Sequence, residues 1–198
     1  MPRPVVPDDP DWPPRFEAIV VVPYDPDWPA RFEAIRDRVA PALGHVAVAI
    51  EHVGSTSVPG LAAKPIIDID VIVATAADVP IAIERLATVG YAHRGDLTVT
   101  GREAFSAPDG PTRHNLYVCA ADVLPLRNHL AIRHHLRTHP DAVKAYAALK
   151  LRLASETDDI DAYIEGKTPM ILEFLAAEGL SPDDLATIDA VNRPIGPP

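Results

Sequence analysis

Two neighbouring stretches decide the fold of this chain: HVGSTSVPG at residues 52–60 and KPIIDIDVIV at residues 64–73. The first is a turn of small residues, rich in hydroxyl groups and backbone amides. The second is an apolar run with many β-branched residues, which favours a strand. Because side chains alternate along a strand, Asp68 and Asp70 leave the same face of it. The sequence therefore predicts a buried strand with two carboxylates, directly after a small-residue turn.

Two carboxylates this close repel each other, which raises the pKa of one of them unless a cation lies between them. A hard divalent ion with oxygen ligands, above all Mg²⁺, removes the repulsion and is a common partner of phosphates. A bare Asp-x-Asp also occurs on solvated strand faces, but its flanks here are apolar. The turn at Gly54 and Ser55 adds an independent phosphate-binding feature. Together the two stretches predict a metal and nucleotide site.

Residues 21–178 resemble the GrpB family, a branch of the polymerase-beta-like nucleotidyltransferase superfamily. The matching pieces, in the order of the family, are PYDPDWP (23–29), EHVGSTSVPGL (51–61), AKPIIDID (63–70), GY (90–91), RHNLYV (113–118), HP (139–140), YAALK (146–150) and YIEGKT (163–168). The resemblance implies the polymerase-beta-like nucleotidyltransferase fold, an α/β (α+β) arrangement. We therefore expect a mixed central sheet with flanking helices and a helical C-terminal part.

The resemblance also implies roles for single residues. It implies that Asp68 and Asp70 are catalytic and bind Mg²⁺ (or Mn²⁺), while Gly54 and Ser55 hold the triphosphate of a nucleoside triphosphate. Lys64 lies between the turn and the strand, where its ammonium either meets a phosphate oxygen or is an ordinary solvated surface group. The superfamily usually adds a third carboxylate on a later strand, and the sequence offers no convincing one.

Three further residues have two interpretations each. Thr56 and Ser57 either donate hydroxyl hydrogens to a phosphate or cap a helix that begins near Pro59. Lys167 either reaches a phosphate, as the family motif suggests, or closes a helix near the C-terminal edge of the sheet. It is not the lysine of a Walker loop, because Asp161 occupies the position where that loop needs its first glycine.

The stretch HNLYVC at residues 114–119 is the predicted strand where a third carboxylate would be sought. Other members tend to have a His-x-x-His spacing there, and this chain has Tyr117. His114 has two interpretations. It is either a metal ligand or general base, since its ordinary pKa lies near 6.5, or a histidine that donates to a backbone carbonyl. Cys119 on the same strand is predicted to be a packed thiol.

Composition limits the classes of function. The 198 residues have a net charge of −10, which argues against general nucleic-acid binding. Residues 127–152 are an exception, with six Lys and Arg side chains against one Asp. That segment forms either a basic wall over the acidic site, suited to a triphosphate or an RNA end, or an ordinary solvated helix surface.

Cysteine content and hydropathy indicate the compartment. One cysteine excludes an internal disulfide and fits a reducing cytoplasm. The N-terminus is rich in Pro and Asp where a signal peptide needs an apolar core. No stretch without Asp, Glu, Lys or Arg is longer than residues 39–50, and that stretch is too short to span a bilayer. The sequence therefore predicts a cytoplasmic protein without a membrane segment, and leaves its oligomeric state open.

The N-terminal part is duplicated, because residues 5–19 recur as residues 21–35 with two differences. Proline density predicts that residues 1–20 are a poorly ordered extension. Residues 21–180 then form the nucleotidyltransferase-like domain, and residues 181–198 form a C-terminal tail with a short turn.

Local patterns predict the elements of the domain. We expect a helix that Asp27 caps and whose apolar stripe is Phe32, Ile35 and Val39. We also expect strands at 46–52, 67–74, 91–93 and 97–100, a hairpin of 103–106 with 115–120, and helices at 79–89, 124–138, 141–155, 160–166 and 169–178.

Three hypotheses of function follow. The first is a Mg²⁺-dependent nucleotidyltransferase that moves a nucleoside monophosphate from a nucleoside triphosphate to an unknown small-molecule or RNA acceptor. The second is a non-catalytic nucleotide-binding protein on the same fold, which the missing third carboxylate supports. The third is an interaction protein whose duplicated Trp-containing segment recruits a partner.

Overall fold

The computed structural model describes residues 18–193. Within this range, five strands form one mixed sheet of order β1-β2-β5-β4-β3. The strands are β1 Ala47–Val53, β2 Ile67–Val73, β3 Ala92–His93, β4 Arg102–Ser106 and β5 His114–Ala120. The helices are α1 Trp28–Leu43, α2 Val79–Ala87, α3 Leu124–Thr138, α4 Pro140–Glu156, α5 Ile160–Ala177 and α6 Pro182–Asn192. The expected mixed sheet with flanking helices and a helical C-terminal part is confirmed.

Strand β2 lies inside the sheet, antiparallel to β1 and parallel to β5. Its Ile67 and Ile69 pack on α1, while Val71 packs with residues of α1 and α2. Asp68 and Asp70 therefore point to the opposite face, because side chains alternate along a strand. On that face Ile72 packs with Cys119 of β5 and with α3. The two carboxylates thus lie between the sheet and the C-terminal helices.

Helix α1 begins inside the second copy of the N-terminal duplication, residues 21–35. Its predicted apolar stripe is confirmed, since Phe32, Ile35 and Val39 are buried, and Trp28 at its first position is fully buried. Asp27 occupies the position before the helix but makes no capping bond with its side chain, contrary to expectation. The Asp25 carboxylate accepts from the Asp27 N–H at 2.9 Å and from Arg31 at 2.7 Å, and so joins the turn before the helix to its first turn.

Helix α5 runs without a break from Ile160 to Ala177, so the prediction of two helices separated near Pro169 was wrong. A proline inside a helix costs about 3 kcal/mol. Beyond it, Ile171, Phe174 and Leu175 are buried in one cluster with residues of α3 and α4. Burying a large apolar side chain contributes about 1.5–3 kcal/mol. Tertiary packing therefore outweighs the local signal that the proline gives.

Three other local predictions were wrong. No strand forms at residues 97–100, where Leu97 and Thr98 have φ angles of +46° and +67° in a tight turn. No helix begins near Pro59, because the chain makes a 3₁₀ turn at Ser55–Ser57 and then a second turn at Pro59 and Gly60. The stretch after Ser181 is the 11-residue helix α6 rather than a short turn, capped reciprocally by Ser181 and Asp184.

Residues 1–17 lie outside the described part of the chain, so the predicted N-terminal extension and its role in recruiting a partner stay predictions. The division into a domain and a tail near residue 180 is a prediction too. Cys119 is a buried free thiol in β5, as expected, and burial raises its pKa to about 12. Across residues 18–193, each helix is too short or too polar to cross a membrane.

Candidate functional site

The Gly54 loop (residues 54–57) follows β1 and packs directly against β2, the strand that contains Asp68 and Asp70. Gly54 has a φ of +67°, and a Cβ built on it would lie 2.2 Å from Oδ2 of Asp68. A side chain at this position would meet both a strained backbone conformation and an occupied space. The position therefore requires glycine, and the loop backbone reaches the carboxylate because a side chain is absent.

Alanine at Gly54 is expected to destabilise the fold by about 3 kcal/mol or more, because φ strain and overpacking add. Gly60 provides a matched control, since it has a φ of +80° but open space where its Cβ would be. Gly60→Ala is expected to cost only about 1–2 kcal/mol. Urea unfolding of both variants measures the difference. Equal losses of stability would show that the close contact between Gly54 and Asp68 does not limit the residue at position 54.

The hydroxyl groups of the Gly54 loop are used mainly inside the protein. Ser57 donates through Oγ to the Gly54 carbonyl at 2.7 Å, and Thr56 donates through Oγ1 to the Ile66 carbonyl at 3.3 Å. Nε2 of His52 lies 3.0 Å from the Thr56 hydroxyl. Both hydroxyl residues are buried. Their structure favours a role in shaping the loop, and Ser55 is the hydroxyl residue of the loop that remains half-exposed.

Two arginines of α3 hold the loop and the end of β1 in place. Arg137 donates to the Ser57 carbonyl from Nε at 3.1 Å and Nη2 at 2.7 Å. Arg133 donates through Nη1 to the His52 carbonyl and to the Glu51 carboxylate, both at 2.7 Å. The predicted basic wall is therefore only partly realised, because these two cations hold protein groups rather than face a ligand.

His52 lies in this arginine-rich surrounding with its ring stacked on Phe32, the ring centroids 4.8 Å apart. Burial, with Arg137 and Arg133 nearby, lowers the pKa of His52 from 6.5 to about 4. The folded protein therefore keeps this ring neutral at pH values where the unfolded chain already protonates it.

This pKa difference predicts a loss of stability as the pH falls from 6.5 towards 4, by about 2 to 3 kcal/mol. The contribution is fully present above 6.5, because both states are then neutral. Urea unfolding at pH 7 and pH 4.5, for the wild type and His52→Gln, measures it. The variant should lose less stability than the wild type over this range. Equal losses of stability in the wild type and the variant would contradict the lowered pKa of His52.

The two predicted carboxylates have different partners. Asp68 accepts from the Asn115 amide at 2.8 Å, and burial raises its pKa despite that hydrogen bond. Asp70 is fully buried and its Oδ2 lies 2.8 Å from Nδ1 of His129. Its other oxygen, Oδ1, is buried with no hydrogen-bond partner among the described residues. A buried carboxylate oxygen without a partner is costly unless a cation or water meets it.

His129 of α3 is a residue that the sequence interpretation missed. Burial disfavours its imidazolium form, but the Asp70 carboxylate outweighs that effect and raises the pKa of His129. The raised pKa favours an ion pair with Asp70, whose side chain is fully buried while that of His129 is partly exposed. The sequence placed His129 in the basic segment, but four histidines occur there and nothing local distinguishes this one.

The neighbouring strands bring no free carboxylate to the pair. In β5, Asn115 and Tyr117 lie opposite Asp68 and Asp70 in parallel register. Arg102 lies over the Tyr117 ring, with its guanidinium carbon 4.3 Å from the ring centroid. In β1, Glu51 lies opposite Asp70, but its carboxylate accepts from an arginine, as described above.

His114 lies on the other face of the sheet from the two aspartates. Its Nδ1 donates to the Thr112 carbonyl at 2.9 Å, and its Nε2 lies 2.7 Å from the Tyr91 hydroxyl. Burial lowers its pKa. The carbonyl contact corresponds to the second of its two interpretations, and the structure does not bring His114 into the cavity described next.

A cavity of about 80 Å³ opens between the Gly54 loop, β2 and the C-terminal helices. Its lining consists of Ser55, Thr56, Lys64, Ile66, Asp68, Lys150, Tyr163 and Lys167. Three lysines thus face one carboxylate. Lys64 and Lys167 were expected to contact phosphate in one of their two interpretations, and both lie here. Lys167 is inside α5, so the alternative that it closes a helix was wrong.

Lys150 is the most enclosed of the three cations. It is 2% exposed, and its Nζ donates to Oγ of Ser55 at 2.9 Å. Burial and the charge of Lys167 lower its pKa to about 7. Burial and the charge of Lys64 likewise lower the pKa of Lys167 to about 8. Burial is the larger cause of both shifts, and the neighbouring ammonium group adds to it in each case.

The residues present fit a divalent cation at the two aspartates. Both carboxylates lie on one face of one strand, and Oδ1 of Asp70 has no partner among residues 18–193. Oxygen donors of this kind suit Mg²⁺ or Mn²⁺. Further ligands would come from phosphate oxygens or water, as is usual for Mg²⁺.

A family model described as GrpB protein matches residues 18–177. The UPF0157 protein YqkA of Bacillus subtilis is 35% identical over 137 residues, which are 69% of this chain and 40% of that protein. A UPF0157 protein of Pseudomonas aeruginosa is 36% identical over 175 residues, which are 86% of this chain and 65% of that one. The chain thus spans less than two thirds of both relatives.

Solved structures show a similar fold. The crystal structure of the conserved protein GrpB from Enterococcus faecalis has a TM-score of 0.70 at 31% identity, and the match covers 85% of this chain and 99% of that one. The Cid1 poly(U) polymerase has a TM-score of 0.48 at 12% identity, over 67% of this chain and 43% of that one.

Proposed function

The chain belongs to the GrpB protein family, and from the site described in it we propose that the protein is a Mg²⁺-dependent nucleotidyltransferase. It would move a nucleoside monophosphate from a nucleoside triphosphate to a small-molecule or RNA acceptor. In this reaction an acceptor oxygen or nitrogen bonds to the α-phosphorus. The bond to pyrophosphate breaks, and the proton of the acceptor passes to solvent or to a base.

One observation carries the proposal: the Asp-x-Asp strand, the Gly54 loop and three lysines meet around a single cavity. Enclosed ammonium groups are unfavourable without a counter-charge, which is why the pKa values of Lys150 and Lys167 are lowered. A polyphosphate supplies the missing negative charge. A site of this charge pattern therefore favours a phosphate-bearing ligand over a neutral or cationic one.

Different residues would bind different parts of the triphosphate. Lys64, Lys150 and Lys167 would hold non-bridging phosphate oxygens and favour departure of pyrophosphate, on which negative charge develops. Ser55 would donate its hydroxyl to the same group, since Lys150 already donates to it. The Gly54 backbone lets a phosphate approach the acidic strand closely.

Asp68 and Asp70 would hold the cation, and the cation, when bound, neutralises and polarises the phosphate that is attacked. His129 would keep the Asp70 carboxylate ionised and fixed in orientation, through the 2.8 Å contact. It is a positioning residue in this account. A base for the acceptor remains unassigned, because His114 lies on the other face of the sheet.

Calorimetric titration tests the proposal. ATP, GTP, CTP and UTP are titrated into the purified protein with and without Mg²⁺, alongside the double variant Asp68→Asn/Asp70→Asn. We expect one triphosphate to bind in a metal-dependent manner and the double variant to bind it at least ~10-fold more weakly, since charge-assisted contacts are lost. Binding of none of the four would remove the reason to regard the protein as a transferase.

A second candidate is a nucleotide-binding protein without turnover. Two observations favour it: β5 contributes Asn115 and Tyr117 where a third carboxylate would lie, and the side chain of Asp70 is fully buried. Pyrophosphate release separates the candidates once the bound triphosphate is known. Metal-dependent binding without release of pyrophosphate, to water, to an RNA oligonucleotide or to small-molecule acceptors, would favour the second candidate.

A further inference from the structure

A second cluster of ligating side chains lies where α3 and α5 end, apart from the acidic pair. It consists of His135 near the end of α3, His139 just after it, and Glu178 just after α5. One ligand atom from each residue lies within 4.8 Å of those of the other two. Among residues 18–193, this is the one group of three or more His, Cys, Asp or Glu side chains that is close enough to share a metal ion.

The two histidines are one helical turn apart, the spacing at which two side chains reach the same side of a helix. Their rings stack with centroids 4.3 Å apart, and His135 also stacks on Phe174 of α5 at 4.6 Å. Nδ1 of His135 lies 3.1 Å from Oε1 of Glu178. The glutamate therefore already joins the end of α5 to the end of α3.

The hydrogen bonds also select the ring nitrogen that a metal would use. Nδ1 of His139 lies 2.9 Å from the His135 carbonyl, which can only accept. Nδ1 therefore carries the hydrogen, and Nε2 has a free lone pair with which it can bind a metal. A backbone carbonyl on the far nitrogen is the usual support of a metal-bound histidine, because it fixes the tautomer and the ring orientation.

We propose that His135, His139 and Glu178 form a Zn²⁺ site that clamps α3 to α5. Two imidazoles and a carboxylate suit Zn²⁺, with water in the fourth position, whereas Mg²⁺ prefers oxygen ligands alone. The ion would replace the hydrogen bond between His135 and Glu178. The exposed His139 ring would tilt out of its stack on the buried His135 ring, because parallel rings do not direct their nitrogen lone pairs at one point.

The clamp acts on the elements that build the candidate active site. Arg137, between the two histidines, holds the Gly54 loop, and Lys167 of α5 lines the cavity. A metal at the helix ends is thus a structural site whose occupancy stabilises the arrangement of α3 and α5. It does not depend on the proposed transferase activity, because none of its ligands lines the cavity.

Titration of untagged protein with Co²⁺ and Zn²⁺ tests the proposal. Co²⁺ reports its coordination through visible absorption, and Zn²⁺ should displace it with one equivalent per chain. His139→Ala and Glu178→Gln are each expected to weaken Zn²⁺ binding at least ~10-fold, because each removes one of three protein ligands. His93→Ala is the matched control, since His93 pairs with Glu103 at 2.6 Å without a third ligand.

Thermal unfolding provides the second readout. Zn²⁺ should raise the melting temperature of the wild type and of His93→Ala but not of Glu178→Gln, whose side chain has the same shape as glutamate. Melting without metal shows whether each variant is folded. Absence of Zn²⁺ binding by the wild type would overturn the proposal. So would unchanged affinity in both cluster variants, or a loss of Zn²⁺ binding confined to Asp68→Asn/Asp70→Asn.

Discussion

Asn in place of Asp68 is expected to abolish nucleotidyl transfer, lowering the rate by a factor of about 10² to 10³ or more. The amide keeps the shape of the carboxylate but loses the charge that would hold the cation. Asp70→Asn is expected to have the same effect, and it also leaves His129 without its counter-charge. Pyrophosphate release from the triphosphate that binds measures both.

Asp37 provides the control for these variants, because its side chain is 70% exposed and contacts Arg36 on the surface of α1. Asp37→Asn should leave both binding and transfer unchanged. Circular dichroism and urea unfolding show whether the site variants are folded, and we expect them to be. Full activity in either Asp68→Asn or Asp70→Asn would exclude the proposed role of that residue.

Methionine in place of Lys150 is expected to weaken triphosphate binding at least ~10-fold and to remove the larger part of the proton uptake that accompanies it. In the unliganded protein the pKa of Lys150 is about 7 and that of Lys167 about 8. At pH 8 the first is therefore mostly neutral and the second about half protonated. A bound phosphate raises both pKa values, so binding at pH 8 takes up protons.

The same argument gives the pH dependence. At pH 6 both lysines are already protonated, so they take up no protons on binding, and the affinity should fall as the pH rises through 7 and 8. Calorimetry in two buffers of different ionisation enthalpy measures the protons exchanged at each pH. Lys144→Met is the control, because Lys144 is an exposed residue of the same helix, paired with Asp141. Equal proton uptake in wild type and Lys150→Met would contradict the placement of the phosphate.

The acidic strand and its turn could be predicted from the sequence because their signals are local. The alternation of side chains along a strand places Asp68 and Asp70 on the same face. Gly54 has a positive φ, a backbone conformation that glycine adopts readily in turns. The helix α3 was predicted with its observed bounds for the same reason, since an apolar period and polar flanks mark it.

Lys150 and His129 were harder to predict, because they reach the site from helices α4 and α3, far along the chain. Lys150 belonged to a segment with an excess of positive charge, in which Arg133 and Arg137 bind protein groups and Lys150 lines the cavity. Nothing in a helical period distinguishes a buried lysine from a solvated one. That difference arises only when α4 and α5 pack beside the Gly54 loop.

Tertiary packing also decided where the sequence interpretation was wrong. Pro169 predicted a break, yet the burial of Phe174 and Leu175 keeps α5 continuous and carries Lys167 into the cavity. Thr56 and Ser57 had two interpretations as phosphate ligands or helix caps, and the structure gives both hydroxyls backbone partners, Ile66 for Thr56 and Gly54 for Ser57. Local chemistry drew attention to this loop but did not indicate how its hydroxyls are used.

Crystals grown with Mn²⁺ and a non-hydrolysable analogue of the bound triphosphate would test the central claim most directly. The account predicts an anomalous peak for Mn²⁺ within coordination distance of the carboxylates of Asp68 and Asp70, about 2.0–2.3 Å. It also predicts phosphate oxygens beside Lys150 and Lys167. A triphosphate bound elsewhere, or bound in the cavity with no Mn²⁺ at the two aspartates, would contradict it.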